Sequence, residues 1–205
     1  LRINRTDDRS SIDRRAADLL DAVGIPSRQI DRKSRAFSGG QRQRVAIARA
    51  LALDPELIVC DEPVSALDMS VQARIINLLV DLRQEFDLAY LFISHDLGVV
   101  RHIADRVAVM YLGRIVEVGP TDQIFGDPQH PYTRALLESV PDPYRRLVTP
   151  VVRGEVPSNV DVSVGCSFAP RCDLRMDVCT EQRPQLLPVR STSQVACFAA
   201  PPVAS

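Results

Sequence analysis

Apolar and polar residues follow two different rhythms in the first 126 positions of this 205-residue chain. From Ser11 to Val23, Ile12, Ala16, Leu19, Leu20 and Val23 recur at helical spacing, and Gly24-Ile25-Pro26 ends the run. A second helix is predicted to open at Ser38-Gly39-Gly40 and to run from Gln41 to Leu53. Leu57-Ile58-Val59-Cys60 is a short, unbroken apolar run, the pattern of a strand covered on both faces. A third helix carries Val71, Ile75, Leu78, Leu79, Leu82 and Phe86 on one stripe. Leu88 to Ile93 repeats the buried-strand pattern, and Val107–Leu112 with Arg114–Val118 flank Gly113 as a hairpin. Helices alternating with apolar strands predict an α/β domain built on a mostly parallel sheet.

The rhythm then changes. Only Pro26, Pro55 and Pro63 precede residue 120, whereas twelve of the 15 prolines lie from Pro120 onward. Four of the five cysteines, Cys166, Cys172, Cys179 and Cys197, fall in the same stretch. This divides the chain into an α/β portion at 1–126 and a small, irregular, cysteine-bearing extension at 127–205.

Composition narrows the function. Hydrophobic residues at 45% and charged residues at 25% are those of a globular protein. No run reaches the roughly 18 to 20 apolar residues of a membrane span. The first twenty residues are charged throughout, unlike a secretory signal. A net charge of -1 offers no basic excess for nucleic acid. Aromatic content of 5% without tryptophan argues against stacking on bases or sugars.

Four short segments carry candidate chemistry. Ser38-Gly39-Gly40-Gln41 opens a helix with free backbone N–H groups and the positive end of its dipole, which suits phosphate oxygens. Read alone, it is also an ordinary N-cap and turn. Asp61 and Glu62 end the first apolar strand, where ligands bind in open α/β sheets. Strand side chains alternate in direction, so one acid can hold Mg2+ while the other polarises an attacking water. Ser65-Ala66-Leu67-Asp68 follows. Ile93-Ser94-His95-Asp96 ends the second strand, where a histidine can donate to developing phosphate charge.

The order of these segments resembles the ATPase subunits of ABC transporters, over about Phe37 to Gly119. FSGGQRQR is similar to the signature motif, LIVCDEP to the Walker B strand, SALD to the D-loop, and His95 to the switch histidine. The resemblance implies a partial P-loop NTPase fold, with ATP and Mg2+ as ligands. It implies that Ser38, Gly39, Gly40 and Gln41 face the nucleotide of a partner ATPase subunit in a head-to-tail dimer. It places Asp61 in the Mg2+ shell, Glu62 as general base, His95 as charge stabiliser and Asp68 as a link between the two sites. The P-loop sequence GxxxxGK followed by Ser or Thr does not occur, and Lys33, the only lysine, follows Arg32. With Leu at position 1, the chain is expected to match the C-terminal two-thirds of a complete subunit and not to hold ATP by itself.

The extension sharpens the resemblance. His130-Pro131-Tyr132-Thr133-Arg134-Ala135-Leu136, followed by Val140-Pro141-Asp142-Pro143, is similar to the C-terminal extension of oligopeptide and dipeptide importer ATPases. His130 itself reads as a loop residue in a proline-bounded turn. Cys166-x5-Cys172-x6-Cys179-x17-Cys197, without an export signal, favours metal over disulfides. The absence of CxxC pairs weakens a zinc-ribbon reading. The resemblance implies a four-iron, four-sulfur (4Fe–4S) cluster, with zinc or reduced thiols as alternatives. Cys60 reads as a small apolar strand residue.

The expected function is that of an ATP-hydrolysing subunit of a bacterial peptide importer. It would be peripheral on the cytoplasmic face of the membrane, with two permease subunits and, indirectly, a substrate-binding protein. The second ATPase subunit would be identical or different. Nickel or another small solute as cargo, a soluble ABC ATPase of DNA repair or translation, and a non-catalytic remnant are the competing readings.

Overall fold

The computed structural model describes residues 8–139 and 164–200. The Val140–Pro143 motif and the Pro157-Ser158-Asn159-Val160 lead-in to the tail cysteines lie outside them. The chain divides into two compact units, residues 1–99 and 100–205.

In the first unit, α1 (Arg9–Ala22) is capped by the Asp8 carboxylate, which accepts from the Ser10 and Ser11 N–H groups. Gly24 leaves the helix at φ +71°, a conformation that suits a residue without Cβ. Arg44 of α2 (Gly39–Leu51) donates to the Val23 carbonyl at 2.6 Å, tying the end of α1 to the second helix. The apolar stripe of α3 (Met69–Glu85) buries Ile75, Ile76, Leu79 and Leu82. The core continues through Leu19, Val23 and Ile25, then Ile47, Ala48 and Leu51.

The parallel pair β1 (Leu57–Asp61) and β2 (Ala89–Ile93) runs in register from Leu57↔Ala89 to Asp61↔Ile93. Cys60 is buried, and burial pushes its thiol up to about 11. Tyr90 donates its hydroxyl to the Leu79 carbonyl of α3 at 3.0 Å, and burial pushes its phenol up to about 12. This face of the pair is therefore the one toward α3. On the opposite face Leu57, Val59, Leu91 and Ile93 are exposed. The expectation of strands covered on both sides is corrected here: period-2 alternation places these four side chains on a face that none of the described residues covers.

Helix α4 (Leu97–Ile103) contains the division between the units. In the second unit, β3 (Arg106–Tyr111) and β4 (Arg114–Pro120) form the hairpin predicted around Gly113. Leu112 and Gly113 both have positive φ, +44° and +76°, the type I′ geometry that matches strand twist. Helices α5 (Thr121–Gly126) and α6 (Pro131–Glu138) follow, and the tail contributes α7 (Val178–Glu181). It also contributes two short strands, β5 (Leu187–Pro188) and β6 (Gln194–Val195), giving the antiparallel order β3-β4-β6-β5. The core of this unit gathers Val107, Val109, Tyr111, Val116, Ile124 and Phe168.

Candidate functional site

The carboxyl ends of β1 and β2 carry the acids and the histidine. Because the strands are parallel and in register, Asp61 lies opposite Ile93, and the residues that follow leave the sheet side by side. Glu62 continues the ladder through its N–H, which donates to the Ile93 carbonyl at 3.0 Å. Its φ of +44° is uncommon for a residue with a Cβ and turns the chain sharply after Asp61. Glu62 Oε1 lies 3.0 Å from His95 Nδ1, with the two side chains 48% and 73% exposed respectively. That hydrogen bond is the first cause of the lowered pKa of Glu62, which keeps the group ionised and able to accept a proton. Asp61 is exposed at the strand end.

Ser38 caps α2 in a reciprocal box. Its Oγ accepts from Gln41 N–H at 3.3 Å, while Gln41 Oε1 accepts from Ser38 N–H at 3.0 Å. Gln41 is thus engaged in shaping the loop. A Cβ added to Gly39 would sit 3.4 Å from Leu67 Cδ2, and one on Gly40 would meet Val71 Cγ1 at 2.5 Å. Asp68 caps α3, accepting from Val71 N–H at 2.9 Å and from the Ser70 hydroxyl at 2.7 Å. The Ser70 hydroxyl is the main reason its pKa is lowered. The structure therefore joins Glu62 to His95, and the glycine pair to Leu67 and Val71 on either side of Asp68.

Sequence reasoning gave no role to Gln72 or Asp96. Gln72 Nε2 donates to Asp96 Oδ2 at 3.1 Å, and Asp96 Oδ1 accepts from Val99 N–H at 3.1 Å, so α3 holds the loop that carries His95. The signal was present: an aspartate three residues before an amide at the start of an apolar run is an N-cap pattern.

In the second unit, Cys166, Cys172, Cys179 and Cys197 line one small apolar cavity together with His130 and Phe168. Cys166 N–H donates to the Cys179 carbonyl at 2.8 Å. Burial raises the thiols of Cys166, Cys172 and Cys197, with the neighbouring sulfurs adding to the effect. The donor set is that of a thiophilic metal, yet among the described residues no three His, Cys, Asp or Glu side chains stand where they could hold an ion. The expected 4Fe–4S cluster finds no support in this arrangement: the thiols converge, but Cys166 and Cys172 pack against the apolar core. His130 lies in the proline-bounded bend before α6, as expected, but it is not idle there. It is buried, caps α6 by accepting from Tyr132 N–H at Nδ1 (3.0 Å), and its own N–H donates to Glu117 Oε2 at 3.0 Å.

Two family descriptions match the chain: ABC transporter at residues 2–65, and oligopeptide/dipeptide transporter, C-terminal region, at residues 116–179. A probable peptide ABC transporter ATP-binding protein of Sinorhizobium fredii is 54% identical over 192 residues, covering 93% of this chain and 54% of that protein. A dipeptide transport ATP-binding protein of Escherichia coli is 52% identical over 187 residues, covering 90% of this chain and 56% of that protein. The chain thus spans about half the length of the curated relatives it matches, less than the two-thirds expected. A solved component of an ABC transporter complex from Clostridium perfringens superposes with a TM-score of 0.56 at 30% identity, over 62% of this chain and 50% of that one. With the strand-end acids, the capped glycine loop and these matches in agreement, the chain belongs to the ATP-binding proteins of ABC transporters, in the group that carries the oligopeptide/dipeptide C-terminal region.

Proposed function

We propose that the chain contributes the hydrolytic half of an ATP site in a peptide importer. Residues 1–126 form part of its ATPase domain, and 127–205 form the extension typical of peptide-type subunits. The observation that carries this reading is the Glu62–His95 pair, held at 3.0 Å where two adjacent parallel strands end. Glu62 takes the proton of the attacking water. The water oxygen bonds to the γ-phosphorus, the bond from phosphorus to the β–γ bridging oxygen breaks, and ADP leaves with that oxygen. His95 orients Glu62 and stabilises charge on the transferring phosphoryl group. Asp61 would hold Mg2+, which neutralises phosphate charge when bound.

Ser38, Gly39 and Gly40 present backbone N–H groups to the nucleotide of a second ATPase subunit, and Gln41 keeps that loop capped. Asp68 sits between the two sites. Energy would pass to cargo through two permease subunits at the cytoplasmic face. A substrate-binding protein would act at one remove. The four tail thiols stand apart from this chemistry. They line one cavity, and iron and sulfide analysis of anaerobically purified protein tests them as ligands of a 4Fe–4S cluster; a colourless, iron-free preparation leaves them as reduced thiols.

The complete protein, reconstituted with its permeases in vesicles, should take up labelled dipeptide on addition of ATP and lose uptake on Glu62→Gln. Uptake of labelled nickel in place of dipeptide would replace the cargo. Uptake and ATP hydrolysis unaffected by the substitution would remove Glu62 from the mechanism.

A further inference from the structure

The glycine loop at the start of α2 has a back wall. Gly39 faces Leu67 at an ordinary contact distance, 3.4 Å from an added Cβ to Cδ2, whereas an added Cβ on Gly40 would meet Val71 Cγ1 at 2.5 Å. Carbon atoms pack at about 3.5 to 4.0 Å, so alanine at residue 40 cannot be accepted without movement. Val71 has little freedom to give way. It is β-branched within α3, where valine is confined to essentially one χ1 rotamer. Its backbone is also pinned, because its N–H is the donor that the Asp68 carboxylate caps at 2.9 Å. On the other side, Gly40 cannot slide freely either: Ser38 and Gln41 lock the loop through two reciprocal hydrogen bonds.

We infer that Leu67 and Val71 are positioning residues for the Ser38–Gly40 loop, and that residue 40 is glycine because the Val71 side chain fills the space a Cβ would need. The inference rests on the phosphate-facing role proposed above for that loop. The first turn of α3 and the phosphate loop then move as one packed body within a single chain. A displacement at the Asp68 cap reaches the Ser38–Gly40 loop through Val71 and Gly40, without passing through nucleotide.

The test is a rescue series in the complete protein with its permeases, reading ATP hydrolysis and thermal unfolding together. Gly40→Ala should lower hydrolysis by roughly tenfold or more, as expected for overpacking beside a site, and lower the melting temperature. Val71→Ala alone should cost less. Combined with Gly40→Ala, it should restore most of both losses, whereas Leu67→Ala, which relieves the looser contact, should not. A double variant no better than Gly40→Ala alone would overturn the inference, leaving phosphate approach as the reason for the glycine. If Gly40→Ala yields no folded protein, recovery of soluble protein in the double variant supports the inference and continued failure overturns it. Should the unaltered protein hydrolyse no ATP, the proposed function fails, while the melting temperatures still decide the packing claim.

Discussion

Among the described residues, two carboxyl–histidine arrangements are built from the same residue types. Glu62 and His95 meet at 3.0 Å at the ends of two strands, both substantially open to solvent. Glu117 and His130 are 2% and 1% exposed. Here the two carboxyl oxygens accept from the backbone N–H groups of Gln129 at 2.7 Å and His130 at 3.0 Å, and no ring nitrogen is involved in that contact. Solvent access divides the roles. The exposed pair is open to a reacting water, and the His95 hydrogen bond holds Glu62 ionised there. The buried pair satisfies donors that the fold would otherwise strand, and burial holds the His130 imidazole neutral, with a pKa near 4. One arrangement is suited to chemistry and the other to architecture.

The largest effect should separate the two glutamates by activity. In the complete protein, Glu62→Gln is expected to reduce ATP hydrolysis by roughly 10² to 10⁴-fold, the range of a positioned base, while the urea midpoint stays in place. Next in size is the converse at the buried site. Glu117→Met leaves two buried N–H groups unpaired, at a cost of about 1–3 kcal/mol each, so urea unfolding should shift strongly. An unaltered midpoint would show that Glu117 is not the structural partner drawn here.

The third effect is one of pH. His130 has its folded-state pKa depressed to about 4 from 6.5, burial being the main cause and the Arg134 charge the second. Below pH 6.5 the unfolded chain binds the proton that the folded one refuses. Stability from this residue is therefore complete above about pH 6.5 and is lost as pH falls toward 4, by about 3 kcal/mol in all. His130→Asn keeps an acceptor for Tyr132 N–H and should flatten that slope in denaturation measured between pH 7 and pH 4.5. An equally steep slope in the variant would assign the acid sensitivity elsewhere. The smallest effect concerns the helix cap: Ser38→Ala removes one half of a reciprocal box and should cost about 1 kcal/mol in urea unfolding. A loss of hydrolysis out of proportion to that cost would mark the Ser38 hydroxyl as a phosphate contact as well as a cap.

Much of the first unit was legible locally. The run Leu57–Cys60 became β1, Leu88–Ile93 gave β2 less its first residue, and Ser38 opened α2 by a capping box that its own sequence spells out. The hairpin at Gly113 was equally plain, because a glycine between two apolar runs is a short-range signal. The rest of the second unit was less so. His130 sits in the expected bend, but its burial and its cap on Tyr132 N–H come from packing that no local pattern announces. Strands β5 and β6 are two residues each, too short for any periodicity to announce them.

What the sequence determined by itself was the order of motifs and the identity of the acids, the histidine and the four thiols, since these depend on residue type and on neighbours a few positions away. Tertiary structure alone decided which of them meet. Glu62 reaches His95 only because two strands pair in parallel register, Val195 pairs with Glu117 across a long stretch of chain, and Val71 fills the space in front of Gly40. Such contacts depend on loop closure and on the packing of separate elements, and neither leaves a mark in the local pattern of a chain.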